Sequence, residues 1–241
     1  MKVIRARDYD DMSAIAADLF RACLAVKPNS ILGLATGSTA LGTYKKLISL
    51  YQSGEISFSQ VKTFNLDEYA GLSEENDQSY RYYMNKNLFE HIDIDMKNTH
   101  LPNGMAADLA QECLRYNELI GKLGGADIQL LGLGLNGHIG FNEPDDYFAK
   151  ETRAVDLDES TIQANARFFA NEREVPRKAI TIGISNIMQA ETVILCVSGV
   201  EKAAILAEVI AGQITPRVPG SVLQLHRDCI VVADEAALRI V

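Results

Sequence analysis

Residues 126–144 read ADIQLLGLGLNGHIGFNEP, and how this stretch is parsed decides the fold. Asp127–Leu133 is a largely apolar run that enters a glycine-rich turn, the pattern of a strand buried on both faces. Gly132–Gly137 (GLGLNG) matches GxGxxG letter for letter. A dinucleotide fingerprint, however, has to open a helix whose N-terminus receives the pyrophosphate. HIGFNEP offers no helical run, and Pro144 interrupts it. The stretch therefore predicts a buried parallel strand followed by a loop, and it does not support nicotinamide binding.

Outward from this strand the chain alternates. Asp11–Lys27 sets Met12, Ile15, Ala16, Leu19, Phe20, Cys23 and Leu24 on one helical stripe, ended by Pro28-Asn29. Ser30–Ala35 reads as a short strand that runs into TGST and a helix over Ala40–Gln52. Val61–Leu66 is the next strand. Ser79–Phe89 and Asp108–Leu123 read as helices, the second closed by Gly124-Gly125. Downstream, Thr152–Leu157, Ala179–Gly183, Thr192–Val197 and Cys229–Ala233 read as strands and Glu201–Ala211 as a helix. This order predicts an α/β three-layer sandwich, with a Rossmann-like, mostly parallel sheet and helices on both faces. No repeat, low-complexity segment or linker divides the 241 residues, so a single domain over 1–241 is expected.

A net charge of −9 leaves no electrostatic footprint for nucleic acid or an anionic membrane. An anionic small molecule would need a locally positive site. Cys23, Cys113, Cys196 and Cys229 lie far apart, with no CxxC and no Cys/His cluster. That spacing argues against a structural zinc or a disulfide framework and suits a reducing, cytoplasmic setting. MKVIRARDYDD carries no apolar signal core, and no apolar run approaches the roughly 18–20 residues that span a bilayer.

In sheets of this kind ligands bind outside the carboxyl ends of the strands. Four turns in that position carry unusual chemistry, and each also has an ordinary reading. His138 and Glu143 sit five positions apart beside small residues that let a substrate approach the backbone. Histidine accepts and donates protons near neutrality, and a carboxylate can orient it; the alternative is a surface histidine near an unrelated glutamate. Thr36, Gly37, Ser38 and Thr39 open a helix and form either an anion site or a plain helix cap. They are not a P-loop, since no GKS or GKT follows. Asp67 and Glu68 leave a strand where a carboxylate can take a proton from a substrate carbon, unless they are solvated loop residues. Lys202, in SGVEKA, either neutralises a bound phosphate or is a solvated surface lysine. Together the four turns suit proton transfer on a sugar phosphate.

GLATGSTALGTY, FNLDEY, LGLGLNGHIGFNEP, ARFF at Ala166–Phe169 and SGVEKA occur in this order over residues 31–204. The series resembles the glucosamine-6-phosphate deaminases, with GHIGFNEP its most specific element. The resemblance implies conversion of glucosamine 6-phosphate and water to fructose 6-phosphate and ammonia, with no metal or organic cofactor. It gives His138 the ring-opening proton transfer, helped by Glu143 and Asn136, and gives Asp67 the proton transfer from carbon 2 to carbon 1. Thr36, Gly37, Ser38 and Thr39 become the phosphate and sugar loop, with Arg167 and Lys202 as cationic phosphate ligands. The order of steps is chemically required: a cyclic sugar has no carbonyl to acidify its carbon 2 proton, so the ring must open first.

Two departures stand out. Many members carry aspartate at the position of Asn136; asparagine can hydrogen-bond but supplies no charge to an imidazolium. Larger members are allosteric hexamers with basic residues near Thr152–Leu157; here Arg153 remains, Val155 stands at the later basic position, and the chain is short at its C-terminus. A monomer without an activator response is expected, with a flap over 158–177. The nearest enzyme rival, 6-phosphogluconolactonase, usually follows its histidine with ASLFP and needs no base at carbon 2. A sugar-phosphate-sensing regulator would carry a basic helix-turn-helix, which the first 30 residues lack.

Overall fold

The computed structural model describes residues 1–165, 169 and 174–241. Its strands are β1 (Lys2–Ala6), β2 (Ile31–Leu34), β3 (Lys62–Asn65), β4 (Asp67–Tyr69), β5 (Thr99–His100), β6 (Ile128–Gly132), β7 (Arg153–Asp156), β8 (Lys178–Thr181), β9 (Thr192–Val197) and β10 (Cys229–Asp234). Seven of them form one all-parallel sheet in the order β1–β10–β9–β6–β2–β3–β5. β9 and β10 are buried along nearly their whole length, as strands covered on both faces must be.

The other three strands form a separate antiparallel ribbon, β4–β8–β7. Two of the strands read from sequence, Thr152–Leu157 and Ala179–Gly183, belong to this ribbon instead of the main sheet. The reason is visible in β7, whose residues alternate between half-buried and exposed, the period of a strand with one wet face. Under the ribbon lies a small apolar cluster of its own that includes Tyr69, Phe141, Leu157 and Ile162.

Among the described residues seven α-helices accompany the strands: α1 (Tyr9–Val26), α2 (Ser38–Gln52), α3 (Tyr80–Asn87), α4 (Leu109–Leu123), α5 (Glu159–Asn165), α6 (Ile184–Met188) and α7 (Ala203–Ala211). Local chemistry sets their ends. Asp8 caps α1 by accepting the Asp11 N–H, Ser79 caps α3 through Tyr82, and Asp108 caps α4 through Ala110 and Gln111. Gly124 closes α4 in the left-handed conformation. α1 and α2 lie side by side over β6, β9 and β10.

The strand order places the site. From β2 the chain moves out through β3 to β5, then returns to the other side of β2 as β6 and continues toward β9 and β10. The sheet therefore reverses between β2 and β6, and such a reversal leaves a crevice at the carboxyl ends of the strands. β2 leads directly into Ala35–Thr39 and β6 into Leu133–Gly137, so two of the four unusual turns flank that crevice.

Candidate active site

Asp67 stands where the chain leaves the main sheet. Leu66 still donates its N–H to the Leu34 carbonyl (3.1 Å), while Asp67 already pairs with Thr181 of β8. Its backbone is thus fixed by both sheets, and the residue is only 6% exposed. Burial, followed by the neighbouring charge of Glu68, pushes its carboxyl up to about 8. Glu68 is adjacent in sequence but serves another purpose. Its oxygens accept the backbone N–H groups of Tyr69 (2.8 Å), Tyr80 (2.9 Å) and Arg81 (2.9 Å), which fastens the start of α3 to β4. Burial still holds the Glu68 carboxyl above its usual range against those donors.

The second element is the loop after β6. Gly134 donates its N–H to the His138 carbonyl (2.9 Å) and closes a tight turn. The imidazole lies over Gly134, where a Cβ would come within 2.4 Å of the ring atoms. That glycine of GLGLNG makes room for the histidine, and the next helix along the described chain is α5. His138 Nδ1 lies 3.0 Å from Glu143 Oε2. A carboxylate only accepts, so Nδ1 carries the hydrogen and Nε2 is left for chemistry.

Glu143 is held from three sides. His138 and Asn136 Nδ2 (2.6 Å) share its Oε2, and Thr161 Oγ1 donates to Oε1 at 2.5 Å. Burial works to raise the Glu143 carboxyl, but the bonds from His138, Thr161 and Asn136 outweigh it and the group lies below its ordinary range. Asn136 also accepts the His138 backbone N–H (3.2 Å), so it steadies the imidazole through the loop and through Glu143.

The third element is polar and cationic. Gly37 is the N-cap of α2 and has no side chain with which to cap it. Asp234, at the end of β10, accepts from Ser198 Oγ (2.5 Å) and from the Gly199 N–H (3.2 Å), fixing the turn before Lys202. Lys202 ends a 3₁₀ turn, Val200–Lys202, and α7 begins at Ala203, slightly later than the sequence pattern suggests.

These elements meet. A cavity of about 1060 Å³ is lined by Thr36, Gly37, Ser38, Thr39, Asp67, Asn136, His138 and Lys202. Glu143 stands behind His138, and Arg167 lies outside the described residues, as does part of the expected flap. Tyr9, Tyr80 and Thr161 also line the cavity and were not singled out by the sequence pattern. Thr161 carries no sequence signal of its own; its N–H returns to the carbonyl of Asp158, which sets it in the first turn of a short helix. Thr181 ties the parts together, since it faces Asp67 in register and its Oγ1 accepts the Phe141 N–H (3.1 Å). Among the described residues no His, Cys, Asp and Glu cluster could hold a metal ion, and no helix is long and apolar enough to cross a membrane.

Comparison with known proteins points in one direction. Residues 9–232 match the family described as glucosamine-6-phosphate isomerases/6-phosphogluconolactonase. The chain is 56% identical to a glucosamine-6-phosphate deaminase of Lachnoclostridium phytofermentans over 232 residues, 96% of this chain and 98% of that protein. It is 54% identical to a glucosamine-6-phosphate deaminase of Clostridioides difficile over 237 residues, 98% of this chain and 95% of the other. The solved structure of a monomeric glucosamine-6-phosphate deaminase superimposes with a TM-score of 0.98 at 46% identity, covering 100% of both chains.

Proposed function

The chain belongs to the family of glucosamine-6-phosphate isomerases and 6-phosphogluconolactonases, and we infer that within it the chain converts glucosamine 6-phosphate and water to fructose 6-phosphate and ammonia. What supports the residue roles is one observation: Asp67, His138 and the Thr36–Thr39 loop line the same cavity.

The sugar binds with its phosphate at Thr36, Gly37, Ser38 and Thr39, where a helix start and Lys202 favour an anion; Arg167 is a further phosphate ligand in this reading. His138 Nε2 takes the proton of the carbon 1 hydroxyl and returns one to the ring oxygen, which breaks the bond from carbon 1 to that oxygen and leaves an open-chain aldehyde. Glu143 keeps the imidazole oriented through its bond to Nδ1. The aldehyde acidifies the carbon 2 proton. Asp67 removes it and delivers a proton to carbon 1, while the nitrogen gives up one proton and the carbon 1 oxygen gains one, so the aldose becomes an imine of the ketose with carbon 1 as an alcohol. Water adds to the imine carbon, ammonia departs, and fructose 6-phosphate remains.

Asp67 must be ionised to act, yet in the free protein its carboxyl sits at about 8. The ammonium of an incoming amino sugar favours the ionised form and so readies the base on binding. A lactone offers no such charge and no carbon 2 step.

The test incubates the protein with glucosamine 6-phosphate and follows ammonia and fructose 6-phosphate together. Equimolar release is the expected result. Hydrolysis of 6-phosphogluconolactone with no ammonia from the amino sugar would move the chain to the other branch of its family. We further propose a cytoplasmic monomer with hyperbolic kinetics; the monomeric relative and Val155 in β7 support this. Sigmoidal substrate dependence abolished by N-acetylglucosamine 6-phosphate would overturn it.

A further inference from the structure

The loop that leads from β2 into α2 has three of its carbonyls held by phenol hydroxyls. Tyr44, buried within α2, donates to the Ala35 carbonyl. Tyr83, on α3, donates to the Gly37 carbonyl at 2.8 Å. Tyr9, the first residue of α1, donates to the Ser38 carbonyl at 2.7 Å. The direction of the last bond is fixed, because the same hydroxyl accepts the Gly42 N–H at 2.7 Å and so turns its own hydrogen toward Ser38. Three different helices thus supply one hydroxyl each to three of the four consecutive residues Ala35–Ser38.

A trans peptide is planar, with its C=O and the following N–H pointing in opposite directions. Holding the carbonyls of Ala35, Gly37 and Ser38 therefore fixes the N–H groups of Thr36, Ser38 and Thr39 on the other side. Ser38 and Thr39 are the first two residues of α2, whose N–H groups have no partner inside the helix. Gly37 adopts φ 102° and ψ 172°, a backbone conformation open to glycine and strained for other residues. A glycine cap with no side chain leaves those N–H groups uncovered, where Ser, Thr, Asp or Asn would cover one.

We propose that Tyr9, Tyr44 and Tyr83 are positioning residues for the phosphate group, holding the carbonyls of Ala35, Gly37 and Ser38 back so that the N–H groups of Thr36, Ser38 and Thr39 meet the anion already aligned. This rests on the reading that the loop takes the substrate phosphate. Its consequence is specific. The phenols touch the loop and not the reacting carbons, so their loss lowers affinity for anything carrying phosphate and leaves the chemical step of a bound sugar nearly intact.

The experiment uses Tyr9→Phe, Tyr83→Phe and the double variant, each losing only a hydroxyl, with Tyr147→Phe, at an exposed tyrosine outside the cavity, as the control. The probe is inorganic phosphate, measured by calorimetry and as a competitor of glucosamine 6-phosphate. In the double variant phosphate should bind about tenfold more weakly and KM rise by a similar factor, while kcat changes less than threefold. A lowered Tm with an unchanged phosphate dissociation constant would overturn the proposal and reduce the phenols to struts between helices. Failure of inorganic phosphate to compete in the unaltered protein would instead overturn the reading of the loop, and the proposal with it. Tyr44 is left unaltered because it is fully buried and its variant could lose the fold.

Discussion

Two carboxylates serve the same site in opposite surroundings, Asp67 lining the cavity and Glu143 standing behind His138. Asp67 is buried beside a second carboxylate, and no hydrogen bond offsets its desolvation among the described residues; its carboxyl rises to about 8. Glu143, largely buried behind His138, receives three hydrogen bonds, and they draw its carboxyl below the ordinary range despite burial. One group is kept short of partners and eager for a proton, the other saturated and reluctant to take one. Carboxylates whose environments drive them apart divide acid–base labour at neutral pH. Here the division suits a base that removes a carbon-bound proton and an anion that only steadies an imidazole.

The largest effect should come from Asp67→Asn. A positioned proton-transfer group typically contributes about 10²–10⁴-fold, so kcat should fall by that range with KM changed little, and carbon 2 proton exchange should vanish. The same change should stabilise the fold at high pH. Folded Asp67 keeps its proton up to about 8, while the unfolded chain releases it near 3.8. Between those values the folded state binds more protons, so its stabilisation is complete below the lower value and lost as pH rises through the upper one. One pKa unit corresponds to about 1.4 kcal/mol, so the asparagine variant should gain several kcal/mol at pH 9 and much less at pH 5. Thermal melts at both pH values check this. Equal gains would show that Asp67 is not strained by its burial.

On the other side of the comparison, Thr161→Val removes one of the three donors from Glu143. A hydrogen bond to a charged group contributes roughly 1.5–3 kcal/mol. Part of that loss should appear as a kcat decrease of about tenfold, and the acid limb of the pH–rate profile should move up as Glu143 becomes easier to protonate. Thr161→Ser, which keeps the hydroxyl, should restore both. A drop in Tm with an unaltered pH profile would confine Thr161 to packing.

Much of this site was legible because its residues sit in turns that interrupt strong patterns. The runs at Ile31–Leu34, Ile128–Gly132 and Thr192–Val197 are apolar enough to be read as buried strands, and the chemistry follows each of them directly. What escaped reading depends on contacts between distant segments. β1 is an edge strand with mostly exposed residues, and β5 has only two, so neither leaves a burial signature. β4 is three residues long and draws its partner from β8, more than a hundred positions away. The same holds for side chains. DE at Asp67-Glu68 reads as a pair of equivalent carboxylates, yet one faces the cavity and the other ties down α3, a difference made by where Tyr80 and Arg81 return. Thr161 is indistinguishable from any helix threonine until Glu143 is found beside it.

The finest test acts on Asn136 and makes the Glu143 side more like the Asp67 side. Asn136 Nδ2 donates to Glu143 Oε2 at 2.6 Å, while its Oδ1 accepts the His138 N–H. Asn136→Asp keeps the acceptor and replaces the donor by a second carboxylate oxygen against Glu143. Like charges at that distance disfavour joint ionisation, so the pair retains a proton to higher pH. The acid limb governing ring opening should move upward by about one pH unit or less, with the plateau rate kept within a few-fold, because the loop geometry is conserved. A pH–rate profile that does not move would mean that the asparagine donor is not what holds Glu143 low, and the contrast between the two carboxylates would then rest on His138 and Thr161 alone.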